Sequence, residues 1–296
     1  MQNWRSNGML LLASFLWGSS NVSLQNVAHA LPPITAVGLK CLLGSSVVLP
    51  FIWGKRSEAV MLIRADISLI ALTCCFFAIA LTLSQIGIGL TSVINASFFL
   101  NVWTILTPFC VWVLQGVRPN KYILPGAAIT FAGTCLMSGG SVNAFNSGDI
   151  LCLIAALVYS VWAIKLGEFV FKRGNALLIS FIQFSVAGVV CTFSGLAVEH
   201  VNFVSLVAAT PDLIIIGVFS TGIGFVLQAV AQTKTSASVA VVILSLEAVF
   251  GALGGALFLG ENFTTLSLMG ASLIFCGVIL VQMTCNAELP EKLKAI

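Results

Sequence analysis

Apolar side chains fill this sequence in long blocks, and the polar and turn-forming residues between the blocks are few enough to serve as cutting points. Cutting there gives ten segments with approximate limits 8–29, 34–53, 67–87, 93–115, 120–139, 149–166, 176–197, 212–231, 236–258 and 264–284. A bilayer core of about 30 Å needs about 20 apolar residues per helix, so each segment predicts one transmembrane helix. Leu31-Pro32-Pro33 stops the first segment, Gly54-Lys55-Arg56 the second and Arg118-Pro119-Asn120 the fourth, while Ser147-Gly148-Asp149 separates two halves. No connection is large enough for a soluble domain. The apolar run from Gly8 continues far past a signal peptide's short core and shows no convincing A-x-A cleavage site, so a retained helix is expected.

The halves are related. Thr91 to Gly133 aligns with Thr235 to Gly277 at a constant offset of 144 residues without a gap. Extended to Leu136, the alignment covers 46 positions with 11 identities, among them Thr91/Thr235, Ser92/Ser236, Gly126/Gly270 and Gly133/Gly277. Chance in so biased a composition gives about half that or fewer. The offset maps segment four onto nine and five onto ten, so each unit holds five crossings. Five is odd, and the second unit must therefore cross in the opposite sense, as an inverted-topology repeat. The expected units are 1–140 and 148–287, with a cytoplasmic tail at 288–296.

Composition agrees with the pattern and removes alternatives. The chain is 59% hydrophobic and 8% charged, against about 25% charged in soluble proteins, so a water-soluble core cannot hide its apolar side chains. The net charge is +3, and the basic residues fall singly or in pairs without interleaved aromatics, which excludes a nucleic-acid patch. With the N-terminus cytoplasmic, every one of the 13 Lys and Arg residues except Lys40 falls on the cytoplasmic side. The acids Asp149, Glu199, Asp212 and Glu261 fall outside, which completes a positive-inside pattern with an even helix count. The predicted fold class is thus an all-α integral membrane protein of ten transmembrane helices in two inverted five-helix repeats, both termini cytoplasmic. The nine cysteines lie in or beside apolar runs with no C-x-x-C pair, so they read as packing residues. Neither a metal nor a cofactor is expected.

Several short features, in this order and spacing, resemble the drug/metabolite transporter superfamily in its branch of ten-helix EamA-type carriers. They are Trp17-Gly18 in segment one; Leu31-Pro32-Pro33 followed by Lys40; Gly148-Asp149 opening the second half; Ser245-Leu246-Glu247 with Gly260-Glu261; and Gly270 with Gly277. The resemblance covers essentially the whole chain. It implies that helices one to four and six to nine surround a central cavity while five and ten are peripheral. The chain departs from the family pattern at Lys40, where Arg is frequent, at Ala248, where a proline often follows the Glu, and at Gly116-Val117, where Gly-Glu is frequent. The missing proline predicts a straighter helix nine, and Pro108 predicts irregular backbone in helix four.

Glu247 is an acid near the middle of segment nine, where lipid exposure costs several kcal/mol, so it is expected to face the bundle interior. It reads either as a proton-coupling or substrate-amine site or as a carboxyl that ties helices together. Lys40, seven residues into segment two, lies roughly 10 Å below the outer boundary. It either snorkels outward or turns inward toward a substrate carboxylate or Glu247. On segment four Asn95, Phe99 and Trp103 recur every four residues and so share a helix face, and the offset pairs Trp103 with Glu247. Segments one and six add Trp17, Ser20, Asn21 and Gln25, and Tyr159 with Trp162. Gln85, Ser220, Thr221 and Gln228 on segments three and eight are candidates for the cavity or for helix-joining hydrogen bonds. Aromatics against amides and one acid suit an amphipathic organic solute.

An inverted repeat with a midplane acid favours a carrier. The leading reading is a secondary transporter that works by alternating access; its cargo, small organic metabolites such as amino acids or amphipathic compounds, and its direction, export, are implied by the family resemblance. Alternatives of the same fold are a proton-coupled multidrug carrier and a nucleotide-sugar or metabolite exchanger, and a channel stands further off. An enzyme is not expected, since His29 and His200 sit at outer helix ends and neither H-E-x-x-H nor a P-loop occurs. The expected partners are the bilayer of the cell membrane and a small-molecule substrate, and the sequence is compatible with a homodimer.

Overall fold

The computed structural model describes residues 4–54, 56–91, 93–137, 146–259 and 264–284. Glu261, Lys292, Lys294 and the expected tail lie outside the described residues. Every regular element among those described is helical. The first half holds α1 (Trp4–Ser19), α2 (Asn21–Ala30), α3 (Pro33–Ile52), α4 (Arg56–Ala65), α5 (Ile67–Leu90), α6 (Val93–Asn101), α7 (Trp103–Gln115) and α8 (Ile123–Met137). The second holds α9 (Ser147–Arg173), α10 (Ala176–Val198), α11 (Phe203–Ile214), a π-helical stretch Ile215–Gly224, α12 (Phe225–Gln232), α13 (Ala237–Leu244), α14 (Glu247–Leu259) and α15 (Thr265–Thr284). Seven runs are long and apolar enough to cross a membrane by length and composition, and two shorter apolar helices accompany them.

Local chemistry explains the boundaries. Pro33 opens α3 at a position where its missing N–H costs nothing, and Gly116 and Gly174 close α7 and α9 in the left-handed conformation. Asn146 and Asp149 form a reciprocal capping box on α9. Three expectations change. The eighth segment begins at Phe203 rather than near 212 and carries Pro211 within its first helix. Helix nine is not straight: it breaks at Ser245 and Leu246 without a proline. There the Leu246 amide bonds the Ile243 carbonyl at 3.2 Å and the Ala248 amide bonds Ser245 at 3.2 Å, a local tightening from i−4 to i−3 pairing. Helix four breaks at the equivalent place, where the Val102 amide bonds Phe99 at 3.3 Å, and Pro108 sits inside the continuous α7.

The packing repeats across the halves. α3 packs on α10 and α8 on α15, each an element against its counterpart, and α7 packs on α13, which joins the counterpart runs α6–α7 and α13–α14. The contact of α5 with α9 is matched by that of α11, the π stretch and α12 with α1 and α2. Likewise α6 and α7 pack on α9 as α13 and α14 pack on α1. Two bundles result, one of α5, α6, α7 and α9, the other of α1, α2, α11 to α14 and the π stretch.

The α8–α15 crossing is the tightest statement of this relation. A Cβ added to Gly133 would lie 2.6 Å from the Gly270 carbonyl oxygen, and one on Gly270 would lie 2.5 Å from that of Gly133. Gly126 and Gly277 face each other in the same way, at 3.2 and 2.7 Å. Under the offset of 144, Gly126 is equivalent to Gly270 and Gly133 to Gly277, so each glycine meets the counterpart of the other. Such reciprocal contacts are the mark of a two-fold relation. The order of the pairs makes the two helices antiparallel.

The bundle has a basic and an acidic end. At the basic end Lys172 and Arg173 of α9 reach Asp66 before α5, with Lys172 at 3.3 Å. Gln115 and Lys165 each donate to Glu168 at 2.9 Å nearby. At the acidic end Glu199 accepts from the Ile34 and Thr35 amides at 2.9 and 2.8 Å and fastens the start of α3 to the end of α10. Thr91 donates to Asp149 at 2.6 Å.

Candidate functional site

Between the two bundles, from the middle of the protein toward the acidic end, lies a cavity of about 170 Å³. That is below the several hundred Å³ common for drug-sized ligands. Toward the basic end the helices close: Phe77, Phe169, Val170 and the whole of Val241 to Leu244 are buried in one apolar cluster.

Glu247 opens α14, immediately after the break, and lines the cavity. Gly18 lets α1 cross this point closely, because a Cβ there would lie 2.6 Å from the Glu247 carbonyl oxygen and 2.7 Å from the Gly251 nitrogen. That crossing brings Asn21 beside the acid on the cavity wall. Gly251 thus packs against α1 and α2, beside Gly18 and Asn21. Trp103, the repeat counterpart of Glu247, opens α7 after the matching break and also lines the cavity.

Lys40 turns inward. It is 5% exposed, lines the cavity and donates its Nζ to Gln85 Oε1 at 3.0 Å, which removes the snorkelling reading. Lys40 and Glu247 face the same space without forming an ion pair with one another. The wall between them is aromatic: Trp103 stands 6.5 Å from Trp17 and 6.0 Å from Tyr159, ring centre to ring centre. The Tyr159 hydroxyl is 3.2 Å from that of Ser84. Trp17 is fixed from behind. Its indole N–H donates to the Ser220 carbonyl at 3.0 Å, and a Cβ on Gly224 would sit 2.4 Å from the indole nitrogen. Both partners belong to the π stretch, whose wider winding opens its carbonyls to a side chain.

Of the residues expected from sequence, Trp17, Ser20, Asn21, Lys40, Gln85, Trp103, Tyr159 and Glu247 come together at this cavity, with Gln25, Ser220 and Thr221 beside them. Three do not. Phe99 is buried against Ala96 and Cys152, Trp162 is fully buried and donates to Gln183 at 3.0 Å, and Gln228 is fully buried beneath the cavity. The Asn95 side chain lies outside the described residues. Asn101, Ser84 and Phe225 line the space without having been singled out. The four-residue spacing from Asn95 to Trp103 presumes an unbroken helix; the tightened turn at Val102 rotates α7 against α6, so Ala96, Leu100 and Asn101 face inward instead of Phe99. Helix seven, expected around the cavity, contributes none of its lining; α10 packs behind α3.

The arrangement supplies one carboxyl group beside an amide, one amino group hydrogen-bonded to another amide, and π faces between. Among the described residues no group of three His, Cys, Asp or Glu side chains forms a metal cluster. Outside the spans, at the basic end, the hydrogen bond from Arg173 holds the Asp66 carboxyl below its usual pKa, with Lys172 adding to it.

A curated relative from Archaeoglobus fulgidus, described as an uncharacterized transporter, is 26% identical over 277 residues, covering 93% of this chain and 84% of the relative. One from Methanothermobacter thermautotrophicus, described in the same words, is 26% identical over 203 residues, covering 66% and 58%. A solved crystal structure superposes with a TM-score of 0.80 at 15% identity, covering 95% of this chain and 97% of that one, which shows the shared fold. The sequence profile of the EamA-like transporter family matches twice, over residues 4–139 and 146–283. With several apolar helices and two matches to one repeat, this multi-pass membrane protein belongs to the EamA-like transporter family.

Proposed function

We propose that the protein is a secondary carrier that exports small organic metabolites, such as amino acids or other amphipathic compounds, by alternating access. In this reading ten crossings form two inverted repeats in the cell membrane, the basic end is cytoplasmic and both termini lie there. The broken runs α1–α2, α6–α7 and α13–α14 and the wound run from α11 to α12 each count as one crossing. The observation that carries the reading is a cavity placed between two bundles that repeat each other's contacts, closed toward the basic end. Two equivalent packings of such halves give the two states of a carrier.

The solute is bound at the centre of the cavity. Glu247 with Asn21 takes a donor group, an amine above all, Lys40 with Gln85 takes an acceptor group, and Trp17, Trp103 and Tyr159 hold the apolar part. Counterflow in proteoliposomes over a panel of metabolites tests this, with Trp103→Ala and Glu247→Gln alongside the wild type. A carrier saturates and exchanges solute across the bilayer. Steady unsaturable conduction, or hits whose exchange neither variant alters, would overturn the assignment.

A further inference from the structure

Phe225 lines the cavity from α12. Residues three and seven positions further on share its helix face, so Gln228 and Gln232 descend below it toward the basic end, over about 10 Å at 1.5 Å per residue. Here the helices are closed, yet the face is polar. Gln228 is 0% exposed, and neither its Oε1 nor its Nε2 has a protein partner. Gln232 donates Nε2 to the Ala163 carbonyl at 3.1 Å on α9, while its Oε1 has none. On α10, which packs against α12, Gln183 meets the Trp162 indole through Oε1 and leaves Nε2 unpaired; one turn earlier the Ser180 hydroxyl is also buried and unpaired. Buried amides without partners are destabilising, and an apolar side chain of similar size would pack better. Packing alone does not explain three buried glutamines with unpaired amide atoms on α12 and α10.

The repeat does. Carried back from Thr91 and Thr235, the offset of 144 pairs Leu81 with Phe225, Ser84 with Gln228 and Ile88 with Gln232. Leu81, Ser84 and Ile88 all line the present cavity from α5. The closed face of α12 is therefore the repeat partner of the face that α5 now presents to the cavity.

We propose that Gln228, Gln232 and Gln183 line the second passage of the carrier, an uncharged, amide-lined path from the cavity to the basic end that opens when the halves exchange conformations. This rests on the alternating-access reading. In the state seen here α12 closes on α9 and α10. In the other state α5 closes the acidic end, and the glutamines trade their missing partners for water and for the polar groups of the passing solute. The path selects solutes by hydrogen bonding, since it carries no charge of its own.

Gln228→Cys and Gln232→Cys in the full-length chain, reconstituted in liposomes, test this by labelling with N-ethylmaleimide read by peptide mass spectrometry. The native Cys152, buried where α5 meets α9 within one bundle, is the internal clock for general unfolding. The introduced thiols are expected to react about ten-fold or more faster than Cys152, because their burial is relieved by opening. Reaction at the Cys152 rate would overturn the proposal. Gln228→Leu adds a second readout: a raised melting temperature with slowed counterflow is expected, whereas a lowered melting temperature means a structural amide and refutes the path. Labelling needs no solute, so the two readings fail separately. Slow labelling beside intact wild-type counterflow rejects the path alone, and fast labelling without saturable exchange of any solute rejects the carrier.

Discussion

Where α8 meets α15 the two halves are interchangeable, glycine for glycine; where α7 and α14 begin at the cavity they share a backbone and differ in everything else. Both crossings come from the same repeated stretch. At the periphery the sequence kept Gly126, Gly133, Gly270 and Gly277 because two backbones approach each other and any Cβ on either side would collide. At the centre the break recurs at Val102 and at Leu246, and the next residue is an indole in one half and a carboxylate in the other. Symmetry is retained where it holds the scaffold and discarded at the cavity, where the proposed solute has two unlike ends to be met.

Substitutions at the periphery break the comparison hardest. Gly133→Leu or Gly270→Val is expected to cost about 1–3 kcal/mol or more through overpacking against backbone, and little monodisperse protein should survive size-exclusion chromatography. At the centre folding should survive and chemistry should not. Glu247→Gln removes a charge-assisted contact of about 1.5–3 kcal/mol, so half-saturation for an amine-bearing solute should rise about ten-fold or more at an unchanged melting temperature. Trp103→Ala should raise it less, about three- to ten-fold, the worth of one aromatic contact. Lys40→Gln sharpens the contrast further: preference should move away from solutes with an acidic group, measured as the ratio of half-saturation constants for a carboxylate and its amide.

The smallest effect is expected at the basic end. Asp66→Asn removes the pairing with Lys172 and Arg173, which is partly exposed, so the melting temperature should fall by no more than about a degree or two. The pH dependence has a definite sign. The folded carboxyl titrates below its unfolded value near 3.9, so its contribution is complete above that pH and is lost as pH falls through the lowered value. A thermal melt from pH 6 down to pH 3 should show this loss in the wild type and not in the variant.

The sequence carried much of this. Apolar blocks foretell the helices because a bilayer demands a fixed run of them, and the offset of 144 marks Gly126, Gly133, Gly270 and Gly277 as equivalent positions, which is where α8 and α15 meet. Lys40 could not be oriented from its position alone, since a long side chain at that depth reaches either water or the interior; the Gln85 amide decides it. The breaks at Val102 and at Leu246 were not legible, for neither carries a glycine or proline, and Pro108 pointed six residues too far along the chain. Asn101 and Phe99 changed places for that reason. Trp162 and Tyr159 lie three apart on α9, near enough in angle to share a face on paper, yet one reaches the cavity and the other turns to Gln183.

The π winding between Ile215 and Gly224 has one further consequence. Trp17 is locked by an oxygen that belongs to that winding and by the bare glycine at its end. Rewinding the stretch to an ordinary α ladder would withdraw the Ser220 oxygen and turn Gly224 aside together. The pitch of one helix and the rotamer of one indole in the cavity wall are therefore mechanically coupled.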